Sequence, residues 1–406
     1  MAEPTIQLGN GNWAGKSDSL LGFSIQNGRF YEQEFTFSRS TTGTYTDKDG
    51  HIKTSATNMP RVDYLNNSNG SLILEAQRTN ILTYSNFQNH WSIDDTTIVA
   101  NNTTSPDGTV NGNLLKGNTN SSRHNIYKSF SPQSTDSVLS VFAKAKELKY
   151  IQIASANTVH QYVNFDVSSG VIGNVGSGFS NAKIENYGNG WYRCSVTATN
   201  QSNAFYFGLI SGLTSSWLES WTMSNDTDGL YIWGAMAETN ASYATSYIPT
   251  SGSSVTRNQD ACSLTNVADR IGQTEGTIYG EFDFKQTGLT NGLFAISDGS
   301  FNNFLMVRFA PTHKLQVEGT GGINIIESTA RASGTYKIAI KYNSNGVELW
   351  VGGSKIIDTS TQSTMSGIDE FMVGKSPYGN VIGCKVNQAQ VYNTALSDTE
   401  LTTLTT

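Results

Sequence analysis

Apolar and polar residues alternate in short stretches along most of the chain. In its middle part the alternation recurs in VLSVFAKA, KYIQIAS, HQYVNFDV, GWYRCSVTA, AFYFGLI and GLYIWGAMAE. A period of two residues is typical of strands that bury one face, and no window of eleven or more residues sustains a helical period. Clusters of Gly, Asn and Ser, which favour turns, separate these stretches. The pattern therefore predicts an all-β protein.

The stretches fall into three regions. Residues 1–79 are turn-rich with few apolar residues, and we expect them not to hold a core of their own. Residues 80–258 and residues 259–406 each contain enough alternating strands for a β-sandwich, and a small-residue linker, YIPTSGSSVTRNQD, joins the two. The predicted architecture is a turn-rich N-terminal anchor followed by two jelly-roll, lectin-like sandwiches.

Three local signals are more specific. The Asp49-Gly50 and Gly352-Gly353 pairs lie between strand-like stretches and predict tight hairpins. Near the end, Ser397 is followed three residues later by Glu400, the spacing of a capping box. We therefore expect one short helix to begin there.

Composition excludes several classes of protein. Charged residues make up only 15% of the 406 residues, the net charge is −7, and aromatic residues reach 11%. Recurring aromatic residues argue against disorder, an acidic balance argues against binding duplex nucleic acid, and no apolar run is long enough to span a membrane. The N-terminus lacks the basic and apolar stretches of a signal peptide. Three widely spaced cysteines predict buried free thiols, without a zinc site or a disulfide framework.

No arrangement typical of catalysis stands out. The five histidines are scattered, and neither a nucleophile elbow nor a phosphate loop occurs. Glu281 and Asp283 share one face of a predicted strand, but any sheet protein offers such carboxylate pairs. Two Asp-x-Asp-Gly runs, which begin at Asp47 and Asp226, lack the later glutamate of a calcium loop and predict tight turns. We therefore predict a non-enzyme without a cofactor or metal ion.

One set of residues combines aromatic rings with hydrogen-bonding groups. In three middle strands, alternation places aliphatic residues on one face and a polar, aromatic set on the other. The predicted ligand-binding residues are Tyr150, Gln152, His160, Tyr162, Trp191 and Arg193. Rings that stack on C–H faces, beside amide and guanidinium groups, suit a glycan, but interfaces between subunits have a similar composition. Both interpretations remain open, and Trp217 with Trp221 form a second candidate.

The segment from Phe37 to Ser85 strongly resembles one that is common in tail-fibre, tail-spike and other virion proteins of bacteriophages. Its shared elements are an Arg–Ser pair, a Tyr–Thr–Asp hairpin, Pro-Arg-x-Asp-Tyr, and Leu-x-Leu-Glu-Ala-x-x-Thr-Asn-x-Leu. The matching positions are Arg39, Tyr45, Asp47, Gly50, Pro60, Arg61, Asp63, Tyr64, Glu75, Arg78, Thr79 and Asn80.

The rest of the chain resembles two further folds. The middle region, with SNFQNHW and SYIPTSGSSVTR, looks like a carbohydrate-binding-module-like jelly roll, and the stretch from Gly276 to Leu401 resembles a laminin-G/concanavalin-A-like sandwich. The resemblance implies a structural virion protein (fibre, spike or decoration subunit) that attaches to host or environmental glycans. It also implies a homotrimer that contacts other virion proteins through residues 1–79. The alternatives are a polysaccharide depolymerase and a non-phage secreted lectin-like adhesin, and head or tail location stays open.

Overall fold

A computed structural model describes residues 1–87, 90–131, 135–155, 161–198, 203–285, 290–379 and 384–406. Within this part of the chain nearly all regular structure is strand, so the predicted all-β fold is confirmed. The strands of the first 80 residues are β1 (Ile6–Gly9), β2 (Ala14–Lys16), β3 (Ser19–Gln26), β4 (Arg29–Ser38), β5 (Gly43–Thr46), β6 (Ile52–Ser55), β7 (Val62–Asp63), β8 (Ser71–Leu74) and β9 (Arg78–Asn80).

The middle and final parts of the chain supply the remaining elements. Those up to residue 257 are β10 (Ser92–Asp94), β11 (Thr96–Thr104), β12 (Val110–Gly117), β13 (His124–Ser129), β14 (Ser137–Lys144), β15 (Tyr150–Ser155), β16 (Tyr162–Asp166), β17 (Val171–Val175), β18 (Phe179–Asn186), β19 (Trp191–Ala198), β20 (Ala204–Leu209), β21 (Gly229–Thr239) and β22 (Val255–Arg257). Those that follow are β23 (Ala261–Thr265), β24 (Gly276–Phe284), β25 (Asn291–Ser297), β26 (Phe304–Phe309), β27 (Leu315–Gly319), β28 (Ile323–Ile326), β29 (Gly334–Asn343), β30 (Gly346–Val351), β31 (Ser354–Thr359), β32 (Glu370–Val373), β33 (Cys384–Tyr392) and α1 (Asp398–Thr405).

The chain divides into two compact units. Unit 1 contains residues 1–48, 54–77 and 258–406, and unit 2 contains residues 49–53 and 78–257. This division differs from the three predicted regions, because most of residues 1–79 belong to the same unit as the C-terminal region. Unit 2 contains residues 80–257 of the predicted middle region, together with residues 49–53, 78 and 79 of the predicted N-terminal region.

Unit 1 is a sandwich of two antiparallel sheets to which both ends of the chain contribute. One sheet has the order β31-β30-β29-β24-β33-β8-β7, with β1 also paired to β33, and the other runs β2-β3-β4-β23-β32-β25-β26-β27-β28. Apolar residues of the N-terminal strands, such as Leu8, Phe35 and Leu72, are fully buried in the same core as Ile278 and Val386. The apolar residues of the N-terminal strands therefore belong to the core of the C-terminal sandwich.

Residues of the phage-like segment form a buried ion-pair cluster inside unit 1. Asp260 accepts hydrogen bonds from Nη1 of Arg39 at 3.1 Å and Nη2 of Arg61 at 2.5 Å, and Arg61 also pairs with Glu75 at 2.9 Å. Burial lowers the pKa of Arg61, but Asp260 and Glu75 raise it, and the net direction is upward. Two guanidinium groups and two carboxylates thus compensate one another where water is excluded. These matching positions have a structural role.

Asn80, another matching position, is a buried connector within unit 2. Its Nδ2 donates to the backbone carbonyl of Ile248 at 2.9 Å, and its Oδ1 accepts from the backbone N–H groups of Leu82 and Ala237. The fully buried amide of Asn80 therefore satisfies backbone groups that would otherwise lack hydrogen-bond partners.

Unit 2 is also an antiparallel sandwich. A six-stranded sheet has the order β10-β13-β20-β15-β16-β17, and a larger sheet has the path β11-β12-β21-β14-β19-β18. The apolar residues that alternation assigned to the core all lie in the core between the sheets. They are Ile151, Ile153, Val163, Phe165 and Cys194. The predicted strand faces are therefore correct.

The smaller sequence signals are confirmed. Gly50 and the Gly352-Gly353 pair have positive φ angles in turns between strands, which glycine adopts without steric cost. The Ser397 side chain caps α1 and Glu400 closes the capping box. Cys194, Cys262 and Cys384 are free and buried, and burial raises the pKa of each thiol. In the described part of the chain, no helix has the length and apolar character needed to cross a membrane.

Candidate functional site

The six residues predicted as one ligand-binding surface do not lie together. Tyr150, Gln152 and Tyr162 belong to β15 and β16 of the six-stranded sheet, whereas Trp191 and Arg193 belong to β19 of the other sheet. The outward faces of the two sheets of a sandwich point in opposite directions. His160 lies outside the described residues.

Trp191 is buried, contrary to the prediction. It is only 1% exposed and packs with Phe142, Trp233 and Tyr247 in a second apolar cluster on the outward side of its sheet. Its Nε1 donates to the carbonyl of Thr104 at 3.0 Å. The alternation correctly placed Trp191 opposite the central core, but other segments of unit 2 cover it, so it is not available to a ligand.

Arg193 lies on the same covered face and is 2% exposed. Its guanidinium donates to the carbonyl of Thr245 at 2.6 Å and to the hydroxyl of Ser140 at 3.0 Å, and it lies over the ring of Phe142. Burial lowers its pKa, but Tyr187 and the carboxylates of unit 2 raise it, and the net direction is upward. The predicted ligand-binding role is replaced by an internal one.

Gln152 is fully buried as well, because a loop covers its part of the sheet. The Gln152 side chain donates to Oδ1 of Asn164 at 2.7 Å and to the carbonyl of Ser216 at 2.9 Å, and it accepts from the N–H of Leu218. Asn164 in turn donates to the carbonyls of Leu213 and Ser215. These paired amides fix the loop 211–218 against the outward face of the six-stranded sheet.

Beside that loop, tyrosines from neighbouring strands form a row. Tyr127 of β13 lies directly opposite Tyr206 of β20, which lies opposite Ala154 of β15, which lies opposite Tyr162 of β16. The rings of Tyr127 and Tyr206 are nearly parallel, with centroids 4.9 Å apart. All three tyrosines are partly exposed, and within the described residues their hydroxyls have no hydrogen-bond partner.

The covering loop adds a fourth ring and a cation to this row. Trp217 donates from Nε1 to the carbonyl of Ser155 at 3.2 Å, and the guanidinium of Arg123 lies 5.0 Å from the centre of its ring. Arg123 is exposed and forms no ion pair with any described residue. We call Tyr127, Tyr162, Tyr206, Trp217 and Arg123 the tyrosine face.

Apart from Arg123, the side chains of the tyrosine face are aromatic and uncharged. Burial, Tyr127 and Asp94 raise the pKa of Tyr206, although Arg123 lowers it. The hydroxyl therefore stays protonated near neutral pH and can both donate and accept a hydrogen bond. Ring faces with such hydroxyls at their edges suit a ligand that has C–H faces and hydroxyl groups.

Sequence reasoning found part of this face. Tyr162 was among the predicted residues, and Trp217 was part of the second candidate. Tyr150 lies on the same face of the sheet, beyond the covered Gln152. Tyr127 and Tyr206 were missed, although alternation in HNIYKS and AFYFGL places each opposite its buried neighbours. Only the strand order shows that these residues are adjacent. Among the described residues, no three His, Cys, Asp or Glu side chains are placed to hold a metal ion.

No protein-family model and no curated protein sequence matches this chain. Solved structures with partial similarity include carbohydrate-binding modules. The CBM40 of a Ruminococcus gnavus IT-sialidase, bound to α2,3-sialyllactose, is 19% identical, covers 33% of this chain and 84% of its own, and has a TM-score of 0.29. Domain 4 of AbnA, an extracellular arabinanase from Geobacillus stearothermophilus, in complex with arabinotriose, is 12% identical over 41% of this chain and 81% of its own, with a TM-score of 0.29.

The NanB sialidase of Streptococcus pneumoniae is 18% identical over 36% of this chain and 26% of its own, again with a TM-score of 0.29. Similarities of this size do not assign a ligand to this chain. The class of this protein therefore follows from its own architecture, which is an all-β chain with two sandwich units.

Proposed function

We propose that this chain is a non-catalytic carbohydrate-binding protein and that the tyrosine face is its binding site. The observation that carries the proposal is the cross-strand row of Tyr127, Tyr206 and Tyr162, whose hydroxyls have no partner among the described residues. Partly exposed rings offer faces to the C–H groups of a sugar, and their free hydroxyls offer hydrogen bonds to its hydroxyl groups. Fixing the loop 211–218 through Gln152 and Asn164 orders Trp217 before a ligand arrives, which lowers the entropic cost of binding.

The biological setting is part of the same proposal. The phage-like segment supports a structural virion protein of a tailed bacteriophage, a fibre, spike or decoration subunit that attaches to glycans of the host or environment. Such a subunit would act as a homotrimer on the virion, beside other virion proteins. Cryo-electron microscopy of the virion tests location and copy number together, and a particle without this chain would remove the setting while leaving sugar binding to be tested separately.

Sugar binding is tested with the whole purified chain on a glycan array that contains neutral oligosaccharides and sialyllactose. The double variant Tyr127→Ala/Tyr206→Ala should weaken binding to the strongest array ligand at least tenfold, while Tyr206→Phe should weaken it less because the ring remains. Tyr31→Ala is the matched control, since Tyr31 is a tyrosine of unit 1 that is 40% exposed. It should bind as the unchanged chain does.

Two outcomes would contradict sugar binding at the tyrosine face. The array could show no ligand, or the double variant could bind as well as the control. If the double variant instead changed the oligomeric state in light scattering and left sugar binding unchanged, the tyrosine face would be a contact between subunits. Release of reducing ends from a host polysaccharide would show a depolymerase and contradict the non-catalytic role.

A further inference from the structure

A second exposed pair of aromatic rings lies on unit 1. Phe301, in the turn between β25 and β26, and Tyr378, which follows β32, have ring planes only 3° apart and centroids separated by 5.7 Å. Phe301 is 59% exposed and Tyr378 is 42% exposed. Parallel rings with this offset are a favourable aromatic arrangement.

The core of unit 1 needs only one of these rings. Tyr378 meets the ring of Phe304 edge-on at 5.6 Å, over a small buried cluster on the outward side of the sheet that contains Met306 and Met372. Phe301 contributes little to that cover, because more than half of its surface remains in water. A single exposed phenylalanine is ordinary, but one that stacks on a second exposed ring forms a contiguous apolar patch with it.

A row of polar side chains lies beside the rings. The hydroxyl of Tyr378 donates to Oε1 of Glu318 at 2.9 Å, and Glu318 pairs with Arg308 at 2.7 Å. From Arg308, hydrogen bonds continue across β26, β27 and β28, to Gln316 at 3.0 Å and from Gln316 to Asn324 at 2.6 Å. Each side chain is held by its neighbour, so the row is ordered without a ligand.

The charges of this row identify the kind of ligand. Arg308 and Glu318 neutralise each other, so this row carries no net charge that would select an ionic partner. Flat apolar rings beside fixed amide, carboxylate and guanidinium groups match a molecule that carries both C–H faces and many hydroxyl groups. Both stacked rings remain exposed, Phe301 at 59% and Tyr378 at 42%, so they can contact the C–H groups of a sugar.

We propose that Phe301, Tyr378 and the row Arg308, Gln316, Glu318 and Asn324 form a second binding site for neutral oligosaccharides. This site uses residues of unit 1 alone. It goes beyond the function proposed for the tyrosine face and does not depend on it.

The experiment separates the two sites by using the whole chain with Tyr127→Ala/Tyr206→Ala as the background. Isothermal titration calorimetry is carried out with three neutral probes, cellohexaose, maltohexaose and xylohexaose. We expect this background to retain binding to at least one probe. Adding Phe301→Ala should weaken that binding at least tenfold, and Phe301→Tyr, which keeps the ring, should restore it.

Phe30→Ala in the same background is the matched control. Phe30 is 61% exposed, belongs to the same unit and contacts another ring, Phe23, but at an interplanar angle of 34°. It should leave probe binding unchanged. Circular dichroism confirms that each variant is folded.

Three results would overturn the second site. The background variant could bind none of the three probes, Phe301→Ala could bind as the control does, or Phe301→Ala could change self-association in sedimentation velocity without weakening probe binding. The last result would indicate a protein contact at this surface. None of the three concerns the tyrosine face, so either site can fail without the other.

Discussion

Removing the carboxylate of Asp260 should destabilise unit 1 strongly and locally. The cluster of Arg39, Arg61, Glu75 and Asp260 contains two cations and two anions, and the side chains of Arg39, Arg61 and Asp260 are fully buried. Asp260→Ala removes the buried carboxylate to which both guanidinium groups donate, in a region that water does not reach. Breaking a buried ion pair by removing one partner costs about 3–5 kcal/mol.

The hydrogen bonds that Asp260 accepts give an upper value for the loss of stability in Asp260→Ala. Asp260 accepts from Arg39, from Arg61 and from the backbone N–H of Glu75 at 2.8 Å. Hydrogen bonds to charged groups contribute about 1.5–3 kcal/mol each, so three would amount to about 4.5–9 kcal/mol. The loss should lie near the lower end, because Glu75 still pairs with Arg61.

The assay must separate the two units, since a chain with two compact units need not unfold in one transition. Native-state hydrogen exchange, measured by mass spectrometry of peptides from each unit, reports their opening free energies separately. We expect the opening free energy to fall by about 3–5 kcal/mol in peptides from β4, β8 and β23 and to stay unchanged in peptides from β14 to β16.

Asp269→Asn is the control. The Asp269 side chain is 81% exposed and, among the described residues, pairs only with its neighbour Arg270 at 3.4 Å, a kind of contact that is worth less than about 0.5 kcal/mol. A loss below about 1 kcal/mol for Asp260→Ala, within the range of a single ordinary hydrogen bond, would refute the reasoning. An equal loss in both units would refute its local character.

Two further predictions concern unit 2. Asn164→Ala removes the bonds to Gln152, Leu213 and Ser215, which at about 1 kcal/mol each should cost about 2–3 kcal/mol in chemical denaturation, and the release of the loop 211–218 should also weaken binding of any array ligand. Retained stability would contradict the role given to this amide. Burial raises the pKa of Asp107, but hydrogen bonds from its neighbours lower it, and the net direction is downward. The stabilisation by the Asp107 carboxylate is therefore complete at pH values above its pKa in the unfolded state, and it is lost as the pH falls through its pKa in the folded state. Asp107→Asn should therefore make the free energy of unfolding depend less on pH below about pH 4. An unchanged acid limb would contradict this assignment.

The sequence by itself determined the local features of this protein. Alternation placed Ile151, Ile153 and Val163 on the core side of their strands, and the capping box at Ser397 predicted the start of α1. Both depend on residues a few positions apart, because the pleat of a strand and the geometry of a helix end are fixed by the nearby backbone.

Only the tertiary structure decided which strands are neighbours and what covers each face. Trp191 lies on the strand face that alternation predicts, but it belongs to a different sheet from Tyr162 and is covered by other segments of unit 2. Apolar residues of the N-terminal region, such as Phe35 and Leu72, are buried because β4 pairs with β23 and β8 pairs with β33. Such pairings join residues far apart in the chain, and their stability comes from the apolar surface that they bury together, which no short sequence window contains.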